Sequence, residues 1–272
     1  MARFDGKKLK GIIGKTIIRN GEGDTMIIQS APVEVKQDPA SEKTAGLFGQ
    51  ASALAAVIRH SLSAIIRGNY DPKMINRFNA PVRAVIYRSL DDATGKFIFS
   101  ANSFEDLIGF EFNNKSWLTN SLYVKPEISL TGSTFKISFP EINVKKQLKF
   151  PVNANLCELK VGITFTALDK AMGKPAQYKY VEITNKQVTL SPQEFSFEVP
   201  EGCLIVSAVG LNYFNRQDDV KTVMTSKTFN PANICGAVIT GGTFVDPGPT
   251  KTGNKVKPSP WQYLDKLKLH SS

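Results

Sequence analysis

The sequence predicts an α+β fold: an N-terminal arm and a helical segment, followed by an antiparallel β-sandwich of immunoglobulin-like or jelly-roll type. Three observations predict it. Apolar residues between 39 and 67 recur at three- and four-residue spacing, the period of one helix face. From about Leu122 onward the apolar period falls to two, the period of strands. Basic residues gather at the two ends of the chain, outside both periodic regions.

The composition sets outer limits. Of 272 residues 42% are hydrophobic and 10% aromatic, which supports a sizeable core and excludes wholesale disorder. No apolar run is long enough for a transmembrane helix. The opening MARFDGKKLKGIIGKTIIRN has charges but no apolar h-region, so no secretory signal is expected and synthesis is placed in the cytoplasm. Cys157, Cys203 and Cys235 are odd in number, widely spaced and set among apolar residues. That pattern predicts buried free thiols, neither a disulfide frame nor a zinc site. The net charge is +10; residues 1–20 hold six Lys/Arg against one Asp, and residues 246–272 hold five Lys against two Asp. Basic ends of this kind meet nucleic acid, acidic lipid or an acidic patch on a neighbouring copy.

Taken in order, residues 1–37 form an extended arm. Thr16–Arg19 and Thr25–Gln29 are β-branched runs around Asn20-Gly21-Glu22-Gly23-Asp24, a hairpin signal because Asn-Gly supplies positive φ. Gly11 and Gly14 are expected to act as joints around Ile12-Ile13. A lone hairpin is marginal in water, so this one must lie on its own sandwich or on the sheet edge of another molecule. Lys7, Lys8, Lys10 and Lys15 would then face acidic residues, with Glu194, Glu198 and Glu201 as candidates.

Residues 38–120 form a helical region around a helix at 39–67. Asp38 caps it, Pro39 fits the first turn, and Glu42 suits the positive end. Leu47/Phe48, Ala51, Leu54/Ala55, Ile58, Leu62 and Ile65/Ile66 make the apolar stripe, and Arg67, Gly68 and Asn69 end it. A second row, Ala45, Gly49 and Ala53, is small. Gly49 costs about 1 kcal/mol against alanine in a helix interior, which predicts close approach of a backbone, from this chain's own sheet or from another subunit. Asp71-Pro72 opens a short helix through Phe78, Pro81 starts 82–87, whose apolar residues suit a helical turn or a strand with helix favoured, and Ser103 opens another short helix ending at Gly109.

Residues 121–245 form the sandwich. Its strands are expected at Leu122–Leu130, Thr134–Phe139, Leu156–Ala167, Tyr178–Thr184, Glu194–Val199, Leu204–Tyr213 and Ala237–Val245, with Gly241-Gly242 as a bulge. Residues 246–272 comprise a polar Pro/Gly/Lys linker to 260, then a docking peg in which Trp261, Leu264 and Leu267 share one side of a short helix.

Catalytic signatures are missing from this reading. His60 and His270 have no adjacent nucleophile and carboxylate, and there is no P-loop, dinucleotide fingerprint, HExxH or Gly-x-Ser-x-Gly. Asp91-Asp92 and Asp218-Asp219 lack the oxygen-rich spacing of a calcium loop. No enzyme activity, cofactor or metal is expected. The expected role is a non-enzymatic structural protein that self-assembles into a filament, tube or shell, a homo-oligomer held through both termini by strand exchange. Its assembly residues would be Ile12, Ile13, Ile17, Ile18, Met26, Ile27 and Ile28 in the arm, Ala45, Gly49 and Ala53 on the helix, and Trp261, Tyr263, Leu264 and Leu267 in the tail. The alternatives are a nucleic-acid-associated protein using the basic ends, which is the weaker partner reading, and a carbohydrate-binding β-sandwich.

The start MARFDGKKLKGIIGK, followed by MIIQSAPVEVKQDPASEKTAGLFGQASALAAVIR, resembles uncharacterised families of small proteins from Bacteroidota-type bacteria. These share a basic Gly-rich start, a Gly-Lys near residue 15, a helix with a Phe-Gly-x-Ala-Ser-like core (here Phe48, Gly49, Ala51 and Ser52) and a β-sandwich. The resemblance covers about the first 90 residues and implies no activity.

Overall fold

In the computed structural model Asp38 caps a helix, its Oδ1 accepting the Ser41 N–H at 2.7 Å. That bond holds the Asp38 carboxyl below its ordinary range. The structure describes residues 2–4, 6, 9–21, 25–31, 38–66, 70–226, 228–252 and 255–269. Lys7, Lys8, the loop residues Glu22, Gly23 and Asp24, the cap residues Arg67, Gly68 and Asn69, and His270 lie outside them.

The chain divides into two units, Met1–Ala45 and Gly46–Ser272. The first contains four short antiparallel strands in sequence order: β1 (Arg3–Phe4), β2 (Leu9–Ile13), β3 (Thr16–Asn20) and β4 (Met26–Ser30). The expected hairpin is therefore the β3–β4 half of a larger sheet, and Gly11 lies inside β2 instead of at a joint.

Three helices follow: α1 (Pro39–Ser61), α2 (Ser63–Ile66) and α3 (Met74–Ser89). The 39–67 helix is thus broken once, at Leu62. The predicted stripe is buried from Ala51 to Ile66, while Phe48 points to solvent. Pro81 starts no new helix: α3 runs through it. An interior proline removes one helical bond and costs about 3 kcal/mol or more; burial of Phe78, Val82, Val85 and Ile86 on both sides of it offsets that loss.

The remaining elements are β5 (Glu127–Thr131), β6 (Thr134–Phe139), β7 (Ile142–Asn143), α4 (Val144–Gln147), β8 (Leu156–Ala167), β9 (Met172–Thr184), β10 (Thr189–Leu190), β11 (Gln193–Glu198), β12 (Leu204–Gln217), β13 (Val220–Val223), β14 (Ala232–Ile239), β15 (Thr250–Thr252), β16 (Lys255–Lys257) and β17 (Gln262–Tyr263). A six-stranded sheet runs β13-β12-β8-β9-β17, with β14 beside β13 on the same side of the long β12. A three-stranded sheet runs β11-β6-β5. The fold is α+β with mostly antiparallel sheets, the large one curled into a half-barrel.

Period-two alternation sends the two faces of the large sheet to different cores. Leu159, Val161, Ile163 and Phe165 of β8 share one core with Phe135, Ile137 and Phe139 of β6 and with Phe195 and Phe197 of β11. Leu204, Val206 and Ala208 of β12 and Ile234 of β14 share the other with Leu54, Ile58, Ile65, Phe78 and Val82 of the helices. The helical layer comes close to the sheet where Ile65 enters a notch. A Cβ on Gly162 or Gly210 would stand 2.9 and 2.7 Å from its side chain, so only glycine leaves room.

The tail departs from expectation. The polar linker contains the β15–β16 hairpin. The peg is a strand, with Gln262 and Tyr263 pairing Gly173 and Met172 at the edge of β9. Pro258 and Pro260 favour extended backbone, and an open sheet edge satisfies that backbone better than a one-turn helix could. Gly242 is a turn residue at φ +85°, beyond the end of β14, not a bulge within it.

Candidate assembly interface

The N-terminal sheet sorts its side chains by register. Gly14, at φ +57°, turns β2 back on β3 so that Ile13 pairs Thr16 and Ile12 pairs Ile17. Ile18 pairs Ile28, Asn20 pairs Met26, and Phe4 pairs Leu9. Paired residues share a face and neighbours along a strand alternate. One face therefore carries Phe4, Leu9, Ile13, Ile18, Met26 and Ile28, with only glycine and uncharged polar residues beside them. The opposite face carries Arg3, Lys10 and Arg19 among Ile12, Ile17, Ile27 and Gln29. On the charge-free face Ile18 is buried, yet Phe4 is 65%, Ile13 50% and Ile28 62% exposed.

The seven arm residues expected from sequence thus belong to one sheet, divided between its two faces. The helix row is different. Ala45 and Gly49 are exposed and Ala53 is half-buried. Among the described residues nothing beyond its own helix backbone and chain neighbours lies within 4 Å of where a Gly49 Cβ would stand. The expectation that this chain's own sheet closes on Gly49 is not met.

The tail residues are committed within the chain. Trp261 is buried against Phe244, ring centroids 4.4 Å apart, and Leu267 is buried with the helices. Leu264 packs beside Gly173, and Tyr263 is exposed. Trp261, Leu264 and Leu267 are therefore corrected from subunit contacts to intramolecular ones, because the β9 edge and the two cores already bury them. Among the acidic candidates, Glu194 is held below its usual range by a hydrogen bond from Lys136 at 3.0 Å, so it is already engaged.

Sequence reasoning passed over a second feature. Residues 109–112 run along β14, with Gly109 N–H donating to Ile234 O and Ile234 N–H to Phe110 O. Phe110 and Phe112 pack with Phe78 on the helical side. Alternation turns Glu111 the other way, where it is only 8% exposed. Its Oε2 accepts the Leu118 N–H at 3.0 Å and its Oε1 accepts Asn233 Nδ2 at 3.4 Å. Burial nonetheless pushes its carboxyl up from 4.5 to about 7. Arg77 lies 4.9 Å over the Phe110 ring and donates to Asp71 Oδ2 and to the Glu111 main-chain oxygen. Burial opposes the Asp71 charge, but donors from Arg77, Asn114 and Lys73 outweigh it and hold that carboxyl low. The available signal was the lone charge between two phenyl rings in Phe110-Glu111-Phe112.

Among the described residues no group of three or more His, Cys, Asp or Glu could hold a metal ion. Among them, too, no helix is long and apolar enough to cross a membrane. Comparison with known proteins finds no matching family model, no matching curated protein and no matching solved structure.

Proposed function

We propose that this chain is a non-enzymatic structural protein that assembles with copies of itself through the N-terminal sheet, carried on a sandwich-like body. The observation behind this reading is the charge-free apolar face of Phe4, Leu9, Ile13, Ile18, Met26 and Ile28. Solvent is a poor partner for it, since burying each large side chain is worth roughly 1.5–3 kcal/mol. A second copy is a good partner. Arg3, Lys10 and Arg19 lie on the other face and Lys15 lies in the β2–β3 turn, so two such faces meet without bringing the strand charges together. Strands of five residues at about 3.3 Å each, set about 4.8 Å apart, give a face on the order of 250 Å². Two faces bury about 500 Å², below the roughly 1,200 Å² of a stable isolated pair. The contact therefore suits a repeating assembly, in which many weak contacts act together.

The Arg3, Lys10 and Arg19 face supports a second reading, a polyanion bound on that face of the sheet. A steep loss of nucleic-acid binding with salt would be its mark.

Light scattering after size exclusion, followed by electron microscopy, tests the assembly. Ile13→Lys with Ile28→Lys places two charges on the apolar face. The wild type is expected as large particles and the variant as a monomer with unchanged body melting. Particles of the same size and form from the variant would refute assembly through this face.

A further inference from the structure

A cleft of about 560 Å³ opens beside Glu111, between residues 108–111, strand β14 and the loop 117–126. That volume lies in the range of small-ligand sites, about 300–1,000 Å³. Its walls are mainly apolar, with Ile108, Phe110, Leu122, Val124 and Ile234 among them and Trp117 half-exposed at the rim. Among the described residues the Glu111 carboxyl accepts from the Leu118 main-chain N–H and the Asn233 side-chain amide, and the Thr119 N–H also favours its charge. They fix both oxygens as acceptors on a residue that lines the cleft.

Among the described residues no Lys or Arg forms an ion pair with the carboxyl itself. Arg77, on α3, donates to Asp71 and to the Glu111 main-chain oxygen; its charge favours the ionised Glu111 carboxyl, but burial outweighs it. Lys125, on the 117–126 loop, is an exposed rim residue. Cys235, on β14, is a neutral thiol pushed up to about 12 by burial, within 3.2 Å of the Ser207 hydroxyl. A buried carboxylate without a directly paired cation is expensive, and a cation placed on it removes that expense.

We infer that this cleft binds a primary ammonium group on an aliphatic stem, the head donating to Glu111 and the stem lying along the apolar wall under Trp117. An anion would meet the carboxylate. A neutral alcohol would leave its charge uncompensated. The shared chemistry has two sources, a free alkylamine or a lysine side chain on a polypeptide.

Calorimetry on the full chain tests this with n-hexylammonium, n-hexanol and Nα-acetyl-lysine amide. At about pH 8 hexylammonium is expected to bind at least tenfold more tightly than hexanol. A drop from about pH 8 to about pH 6 is expected to weaken it about tenfold, because a carboxyl titrating near 7 goes from mostly ionised to mostly neutral. Glu111→Gln keeps the acceptor for Leu118 and removes the charge; it is expected to bind ammonium and alcohol equally. Lysine amide binding as tightly as hexylammonium assigns a polypeptide source, and weaker binding assigns a free amine. Equal binding of hexanol and hexylammonium to the wild type, or an unchanged preference in Glu111→Gln, overturns the inference. So does absence of binding. If Glu111→Gln does not fold, the pH dependence of the wild type decides alone. Assembly plays no part in these readouts, so either proposal can fail without the other.

Discussion

The arm and the body use the same side chains to opposite ends. In Gly46–Ser272, isoleucine and phenylalanine from two sheets and three helices fill two cores, and Phe78, Phe135, Phe139, Ile163 and Ile205 are fully buried. In Met1–Ala45, Phe4, Ile12, Ile13 and Ile28 are half or more exposed on a sheet one layer thick. Local pattern makes a strand in both places. Only a second layer makes a core, and among the described residues of the first unit Ile18 alone is a buried apolar side chain. Apolar residues in the body are explained by stability; those in the arm ask for a partner.

The largest expected effect sharpens that contrast. Phe78→Ala deletes a ring packed against Phe110 and Phe112 and is expected to lower body stability by about 3–5 kcal/mol. Phe4→Ala removes the same atoms and is expected to leave body melting unchanged while weakening assembly. Chemical denaturation of both variants checks this; equal losses of stability would erase the distinction between the units.

Next in size is the place where the body itself is unfinished. Burial raises the Glu111 carboxyl to about 7 in the folded chain, against 4.5 as its ordinary value. Below the lower value both states hold the proton and the group contributes nothing. Between the two values the unfolded chain ionises first, so stability falls as pH rises, by about 3 kcal/mol in all. Above about 7 the loss is complete. Glu111→Gln is expected to match the wild type near pH 4 and to exceed it by up to that amount near pH 8, read from denaturation midpoints across the range.

The long helix divides by face much as its sequence shows, and so do the strands with clean alternation. Thr134–Phe139 and Leu156–Ala167 begin and end where their patterns do. What stayed hidden has physical reasons. Met172–Gln177 does not look like a strand because it contains Gly173 and Pro175. The β8–β9 register shifts between Ile163 and Phe165, opposite that proline, and a bulge accommodates a residue without an N–H. The tail strand depends on an edge supplied by β9, about 90 residues earlier, which no local window contains. Glu111 was hidden because its importance lies in the neighbours brought to it by β14 and the 117–126 loop.

The smallest expected effect concerns the exposed start of the helix. With open space where its Cβ would stand, Gly49→Ala is expected to stabilise α1 by up to about 1 kcal/mol and to leave assembly unchanged. Loss of particles in light scattering would move the subunit contact from the arm to the Ala45–Gly49–Ala53 row.

The three thiols give the body a clock. Cys157 on β8 and Cys203 at the entry to β12 sit in the layer between the two sheets. Burial holds Cys157 well above its usual range and Cys203 at about 12. Thiolate, the reactive form, is therefore scarce at neutral pH as long as the layer stays shut. Cys235 borders the cleft and is less deeply covered. Its thiolate is as scarce as that of Cys203, so label at Cys235 reports opening beside the cleft, and label at Cys157 and Cys203 times how often the sheets part. A body that opens as one unit labels both in a single mass step. One that loses strands from its edge labels them in sequence.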